Sequence, residues 1–283
     1  MSILRLTTLL FVLTVAELTA IAPAHADETL TLGVFAYRPD SVLQDRYQPL
    51  TDYLSRETGI QIELEILNQE NMSRAIAANR LDFFLTNPSH FLLIRSERSL
   101  TGVLATLVRR SGESSTTSLG GVIFAKAERD DIQDLADIRN KTIASPGVHF
   151  LGGYQTQVLE LLDAGIDIRR VNLIRFLGTH DRVVRSVLSG DADVGFIRTS
   201  ILEQMAQADP DLFTRVKVLN RQRLSGFPYV VSTRLYPEWP LVALPHVNER
   251  SVRKIASALF AIEPDDEVAL AVGIAGFSPP ADY

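Results

Sequence analysis

Two hydrophobic periods take turns along the chain. Leu30 to Tyr37 (LTLGVFAY) is a short, nearly continuous apolar run and predicts a strand. Tyr47 to Glu57 carries apolar residues at helical spacing and stops at Gly59, and Ile60 to Leu67 (IQIELEIL) alternates strictly, as a half-exposed strand does. Arg74 to Asn87 (RAIAANRLDFFLTN) then reads as helix, tight turn and an acidic-led apolar strand, Leu81 to Thr86, that ends on polar residues. After Asn87-Pro88, Ser89 can cap a helix through about Ser96, and Thr101 to Val108 predicts another strand.

Ser111 to Ser118 (SGESSTTS) breaks the pattern with small polar residues, the composition of a surface connection. A second series follows: strand Gly121 to Ala125, helix Asp131 to Asp137, strand Thr142 to Ala144, helix Gly153 to Asp163 ended by Gly165, and strand Leu173 to Phe176. Arg185 to Thr199 (RSVLSGDADVGFIRT) then repeats the earlier unit. Phe213 to Leu219 predicts a strand, Ser225-Gly226-Phe227-Pro228 a return crossing, and Asn248 to Ala271 a mainly helical tail. Alternating strands and helices imply an α/β fold with mostly parallel sheets. The repeat implies two lobes: residues 27–112 with 226–283, and residues 113–225, joined by two hinge crossings. Such a hinge closes around a small ligand.

The N-terminus changes the picture of where this happens. Arg5, the apolar run Leu6 to Ile21 and Ala24-His25-Ala26 have the order of a cleaved signal peptide, residues 1–26, with Glu17 inside the run; the alternative is an uncleaved helix. The mature chain is therefore expected to be exported, soluble and monomeric. With 46% apolar residues a core forms without staples, and with no cysteine, disulfides and thiolate chemistry are excluded. A net charge of −6 with scattered Lys and Arg gives no nucleic-acid footprint.

Candidate chemistry collects at predicted strand ends. In Ser145 to Tyr154 (SPGVHFLGGY), Gly152 and Gly153 open a helix whose free N–H groups suit an anionic oxygen, or they only satisfy the geometry of a βα loop. His149 lies in the same loop. At Gly178-Thr179-His180-Asp181, His180 either projects at the strand edge, able to donate to an oxyanion, or is an ordinary surface group. Arg198-Thr199 ends the second repeat: Arg198 can grip an oxyanion with two N–H groups, or pair with Asp191 or Glu203. Thr86 and Asn87 are the matching neutral donors of the first repeat, and Tyr37 and Tyr154 either line the cleft or pack in the core. Trp239 is expected to pack against a loop. Asp82 and Asp193, at strand starts, are expected to cap turns. No nucleophile elbow, metal-ligand spacing or dinucleotide fingerprint is present, so no cofactor and no enzyme activity are expected; a secreted hydrolase is the weakest alternative.

On these residues the chain resembles the periplasmic phosphate, phosphite and phosphonate-binding family of type 2 solute-binding proteins. The resemblance rests on Leu81 to Pro88, Gly152-Gly153-Tyr154, Gly178 to Asp181, Ser189 to Asp193 with Arg198-Thr199, and Ser232 to Pro240. It implies a Venus-flytrap fold, no catalysis, a ligand between the lobes, and contacts from Thr86, Gly153, Tyr154, His180 and Arg198; taken with the residues above, the expected ligand is a small phosphonate-like or sulfur oxyanion and the expected partner an ABC permease. The chain departs from phosphonate receptors at His149-Phe150-Leu151, where hydroxyls are expected, at Thr86 in place of an aromatic hydroxyl, and at Arg198 in place of an acid. These departures weigh against an aminoalkyl-phosphonate. Leu235 to Pro240 and Gly276 to Tyr283 are similar to the input domains of tetrathionate-sensing membrane kinases, which makes a sensor kinase the alternative partner.

Overall fold

The computed structural model describes residues 28–283 apart from Thr101 and Asn172; the expected signal peptide lies outside the described residues. Its strands are β1 (Thr29–Phe35), β2 (Gln61–Leu67), β3 (Phe83–Leu85), β4 (Val103–Ser111), β5 (Ser114–Thr116), β6 (Ser118–Leu119), β7 (Gly121–Lys126), β8 (Thr142–Ser145), β9 (Leu173–Phe176), β10 (Val194–Arg198), β11 (Val216–Leu219), β12 (Tyr236–Pro237), β13 (Pro240–Ala243) and β14 (Ile274–Ser278). One sheet runs β14-β4-β13-β3-β1-β2, with β5 folded back on β4; a second runs β11-β7-β10-β8-β9; β6 and β12 pair between them. In the first, β1, β2, β3 and β4 point one way and β13 and β14 the other; in the second only β7 opposes the rest.

Local sequence explains the elements that flank the sheets. Leu43, Tyr47, Leu50 and Leu54 recur on one buried face, so the first helix is Asp40–Thr58, longer at its start than the run from Tyr47. It ends where Gly59 takes the left-handed conformation at φ 67° and returns its N–H to Ser55 O. The helix Pro88–Glu97 is capped by Asn87, whose side chain accepts from His90 N–H, rather than by Ser89; Pro88 sits where a missing N–H costs nothing. The predicted helix Asp131 to Asp137 contracts to the 3-10 turn Ala136–Ile138. There the Asp134 and Asp137 carboxylates accept the backbone N–H groups of Ala136, Gln133 and Asp134. Phe213 belongs to the helical turn Leu212–Arg215, and the strand begins only at Val216.

The crossings lie closer together than expected. Because β5 pairs with β4, the first crossing narrows to the stretch from Thr117 to Gly120. Gly226 makes a turn within the second lobe, after which Ser232 and Thr233 bond back to β7: Ser232 N–H to Gly121 O at 2.8 Å and Gly121 N–H to Thr233 Oγ1 at 2.9 Å. The chain therefore returns at β12, not at Ser225 to Pro228, and β6 and β12 form the hinge together. Two further strands match no predicted element, β13 between the expected crossing and the helical tail and β14 just after that tail, and both complete the first sheet. The larger apolar cluster runs from Leu32 and Val34 through Phe35 and Trp239 to Val183 and Val187, so the lobes share packing; Ile143, Leu161 and Phe196 belong to a separate second-lobe cluster.

Candidate ligand-binding cleft

β1 brings Phe35 and Tyr37 to the face that meets the second lobe. Phe35 packs edge-on against Phe150 of the second lobe with ring centroids 5.0 Å apart, and also meets His90 and Trp239 at 5.6 and 5.9 Å. Tyr37 stands 4.9 Å from Trp239 and 6.4 Å from His180, and its carbonyl accepts the His180 N–H at 3.2 Å. Beside it Arg38 donates through Nε and Nη2 to both oxygens of Asp181, each at 2.8 Å. Arg46 donates to Gln204 Oε1 at 2.8 Å. The lobes are thus in contact through an aromatic layer and a two-pronged ion pair.

Behind this layer lies a cluster of buried charge. Arg198, at the end of β10, donates through Nη2 to Glu238 Oε1 and stacks 5.6 Å above the Trp239 ring. Arg109, on the inward face of β4, brings Nε to 3.8 Å from the same oxygen. Arg109, Arg198 and Glu238 are 1%, 3% and 0% exposed, so two guanidiniums share one carboxylate out of contact with solvent. Among the described residues, Nε, Nη1 and Nη2 of Arg109, Nη1 of Arg198, Nδ1 of His180 and Nδ2 of Asn87 have no hydrogen-bond partner. Buried donors of this kind cost free energy unless something accepts from them.

The excess of positive charge registers on its neighbours. Burial acts to raise the Tyr37 phenol, but Arg46, Arg109 and Arg198 outweigh it and bring the group down to about 7. Tyr47 is raised, by burial and then by Tyr37. Burial, followed by Arg198 and Arg38, holds His180 well below its ordinary value, so its imidazole is neutral. His90 falls to about 4 through burial and the nearby His149. A cavity of about 320 Å³ between the lobes, lined in part by Arg46, Arg110, Gln204 and Tyr229, adjoins this region through Arg46, whose Nη1 reaches Tyr37 Oη at 3.3 Å.

Of the residues singled out in the sequence, Tyr37, His180, Arg198, Gly152 and Gly153 come together here. A Cβ on Gly152 would stand 2.8 Å from Arg198 Cβ, and one on Gly153 2.7 Å from His180 Cε1, so the loop approaches both side chains as only glycine allows. Asn87 is buried at the lobe interface end of β3, while Thr86 Oγ1 bonds to His90 Nδ1 at 2.9 Å. Thr199 is taken up by the hinge: its N–H and Oγ1 pair with Gly120 O and N–H. His149 is exposed. Tyr154 is not brought to the cleft: it follows Gly153 on the wide helical turn Leu151–Gln155 and turns to the other side. Its ring packs in the second-lobe core, 5.4 Å from Phe176.

Trp239 packs inside this cluster rather than against a loop. Arg109 and Glu238 were not singled out from sequence. Arg109 carried a legible signal: it continues the buried alternation Ala105, Leu107, Arg109 along β4, and an arginine on an inward strand face calls for a partner. Glu238 carried none, because nothing local shows that the hinge folds it inward.

The model of the family described as ABC transporter, phosphonate, periplasmic substrate-binding protein matches residues 32–283. The chain belongs to this family. Members are periplasmic solute-binding proteins rather than enzymes, and the two-lobed type 2 fold of this member agrees. Among solved structures, a binding-protein component of an ABC phosphonate transporter from Pseudomonas aeruginosa superposes with a TM-score of 0.73 at 15% identity, covering 89% of this chain and 81% of that one. In sequence, this family member is 26% identical over 234 residues to the tetrathionate sensor histidine kinase TtrS of Salmonella typhimurium, covering 82% of this chain and 39% of the kinase. It is 22% identical over 185 residues to the phosphate-import protein PhnD of Mycolicibacterium smegmatis, covering 62% of this chain and 57% of that protein. The chain thus spans less than two thirds of either relative. No helix of the described residues is long and apolar enough to cross a membrane.

Proposed function

We propose that this protein captures a small oxyanion between its lobes in the periplasm and, closed around it, presents the ligand to an ABC permease. The observation that carries the reading is Arg109: a guanidinium 1% exposed, without a hydrogen bond among the described residues, beside an Arg198 that shares the same single carboxylate. Two forked cations against one carboxylate leave donors aimed at an oxyanion, and His180 and the glycines of the Leu151–Gln155 turn stand next to them. The aromatic layer of Phe35, Phe150 and Trp239 favours a weakly hydrated ligand body, a sulfur oxyanion or alkylphosphonate, over one rich in hydroxyls.

A sensor kinase as partner is the second reading. It is supported by the relation to the tetrathionate sensor kinase and by the place of the Leu235 to Pro240 stretch, which supplies Glu238 and Trp239 to the cluster. Gene neighbours encoding a permease or a kinase separate the two.

Thermal-shift titration with phosphonates, phosphite, sulfonates, tetrathionate and dicarboxylates tests the capture itself, since a ligand that binds only the folded state raises Tm. At least one oxyanion is expected to do so. Arg109→Lys and Arg198→Lys keep the charge beside Glu238 but lose the fork, and are expected to weaken that response by about tenfold or more. A wild-type protein indifferent to every anion, or lysine variants that respond as the wild type does, would remove this reading.

A further inference from the structure

Resting on that reading, we propose that Glu238 sets the charge the cleft accepts, admitting anionic heads with one negative charge and rejecting those with two. Its carboxylate is fully buried and fixed from several sides. Oε1 takes Arg198 Nη2 and faces Arg109, and Oε2 accepts the Trp239 N–H at 3.0 Å. Its own N–H donates to Thr117 O at 2.7 Å, and its carbonyl accepts from Tyr283 Oη at 2.6 Å. A side chain held in this way by the hinge does not swing out when a ligand enters, so its charge is a permanent part of the site.

The buried balance follows from the groups that face the cluster. Arg109 and Arg198 are positive and Glu238 is negative. Tyr47 and Tyr229 are raised, chiefly by burial, and stay neutral, and His180 is held neutral. Asp181 is already matched by Arg38, and Arg46 lies at the half-exposed rim against Gln204, where water screens it. Below about pH 7, where the Tyr37 phenol is protonated, the interior therefore carries one net positive charge. A singly charged head cancels it. A doubly charged head leaves one uncompensated negative charge in a low-dielectric interior, which is the costly condition.

Methanesulfonate and sulfate make the test, since both are tetrahedral sulfur oxyanions of similar size that differ in charge. By titration calorimetry at about pH 6, with Tyr37 protonated, the wild type is expected to prefer methanesulfonate by about tenfold or more, and Glu238→Gln, which raises the buried balance by one positive charge, to move the preference toward sulfate by a similar factor. A folded Glu238→Gln with the wild-type preference would overturn the charge rule while leaving oxyanion capture standing. Binding of neither ion, nor of any other oxyanion, by the wild type would remove the capture and the rule with it. Should Glu238→Gln not fold, methylphosphonate binding to Tyr37→Phe, which has no phenol to take up a proton, decides in buffers of different ionisation enthalpy. Above the second ionisation of the phosphonate, uptake of close to one proton supports the rule, and tight binding without uptake overturns it.

Discussion

The two repeated units begin alike and end differently. In the first, Asp82 leads β3 and clasps the neighbouring strand: its N–H donates to Thr31 O at 3.0 Å, and its Oδ2 accepts the Thr31 N–H at 2.7 Å. In the second, Asp193 leads β10 and repeats the clasp on Thr142, at 2.9 and 2.8 Å. At the opposite end the likeness stops, for β3 delivers Thr86 and Asn87, while β10 delivers Arg198. The clasp end is dictated by backbone hydrogen bonding, which any strand pair at that geometry must satisfy. The other end faces the cleft, where neutral donors in one lobe meet a cation in the other. Asymmetry recurs where the lobes touch, since the first supplies Arg38 and the second Asp181.

That contact should give the largest effect when broken. Arg38→Met would leave Asp181 buried and unpaired in the closed form, a penalty of about 3 kcal/mol that opening relieves by returning the carboxylate to water. The expected outcome is a larger radius of gyration in small-angle scattering with folding stability little changed. An unchanged radius would mean that the Phe35–Phe150 layer holds the lobes together without the ion pair. Next in size are the clasps. Asp193→Ala removes a carboxylate that also takes Arg129 Nη1 at 2.5 Å, whereas Asp82→Ala removes one that meets His246 at 3.0 Å. Each loss is expected to cost about 1–3 kcal/mol in denaturant unfolding, with Asp193 the larger. Burial acts to raise Asp193, and Arg129 with the Thr142 N–H outweighs it, so its folded pKa is lowered. Its contribution is therefore present above the unfolded carboxylate value and lost as pH falls through the folded one, so the gap between the variants should narrow in acid.

The repeat was legible because it is local: an acid, an apolar run and an abrupt polar end read the same in one dimension as in three. The place of Arg198 and His180 in the candidate cleft was legible for the same reason, as polar residues at the C-terminal end of a parallel strand and at the start of a helix. What escaped was long-range. β13 and β14 are short segments inserted into a sheet whose other strands lie more than a hundred residues earlier, and their own periodicity is weak. Glu238 joins the buried charge cluster only through the hinge pairing of β6 with β12, and Tyr154 packs in the second-lobe core from a turn one residue wider than an α-helical one. Even so, the buried alternation of Ala105, Leu107 and Arg109 shows that a charged residue on an inward strand face can be noticed before any partner is known.

The smallest expected effect concerns Tyr37, a first-lobe residue on which Arg46 and Arg109 of its own lobe and Arg198 of the other act together. The phenol sits at about 7 because Arg46, Arg109 and Arg198 favour phenolate against the opposing effect of burial. With its folded pKa below the unfolded tyrosine value near 10, ionisation adds stability that is fully present above that value and is lost as pH falls through about 7. Ligand affinity takes the opposite sign. A bound oxyanion competes with the phenolate for the same guanidiniums, so capture requires Tyr37 protonated, and affinity should fall by up to about tenfold per unit as pH rises above 7. Calorimetry with methanesulfonate, whose own charge does not change over this range, isolates the protein's contribution, and Tyr37→Phe should flatten the profile while leaving the acid-side affinity close to wild type. A slope that persists in Tyr37→Phe would assign the proton to another group and separate Tyr37 from the cation pair.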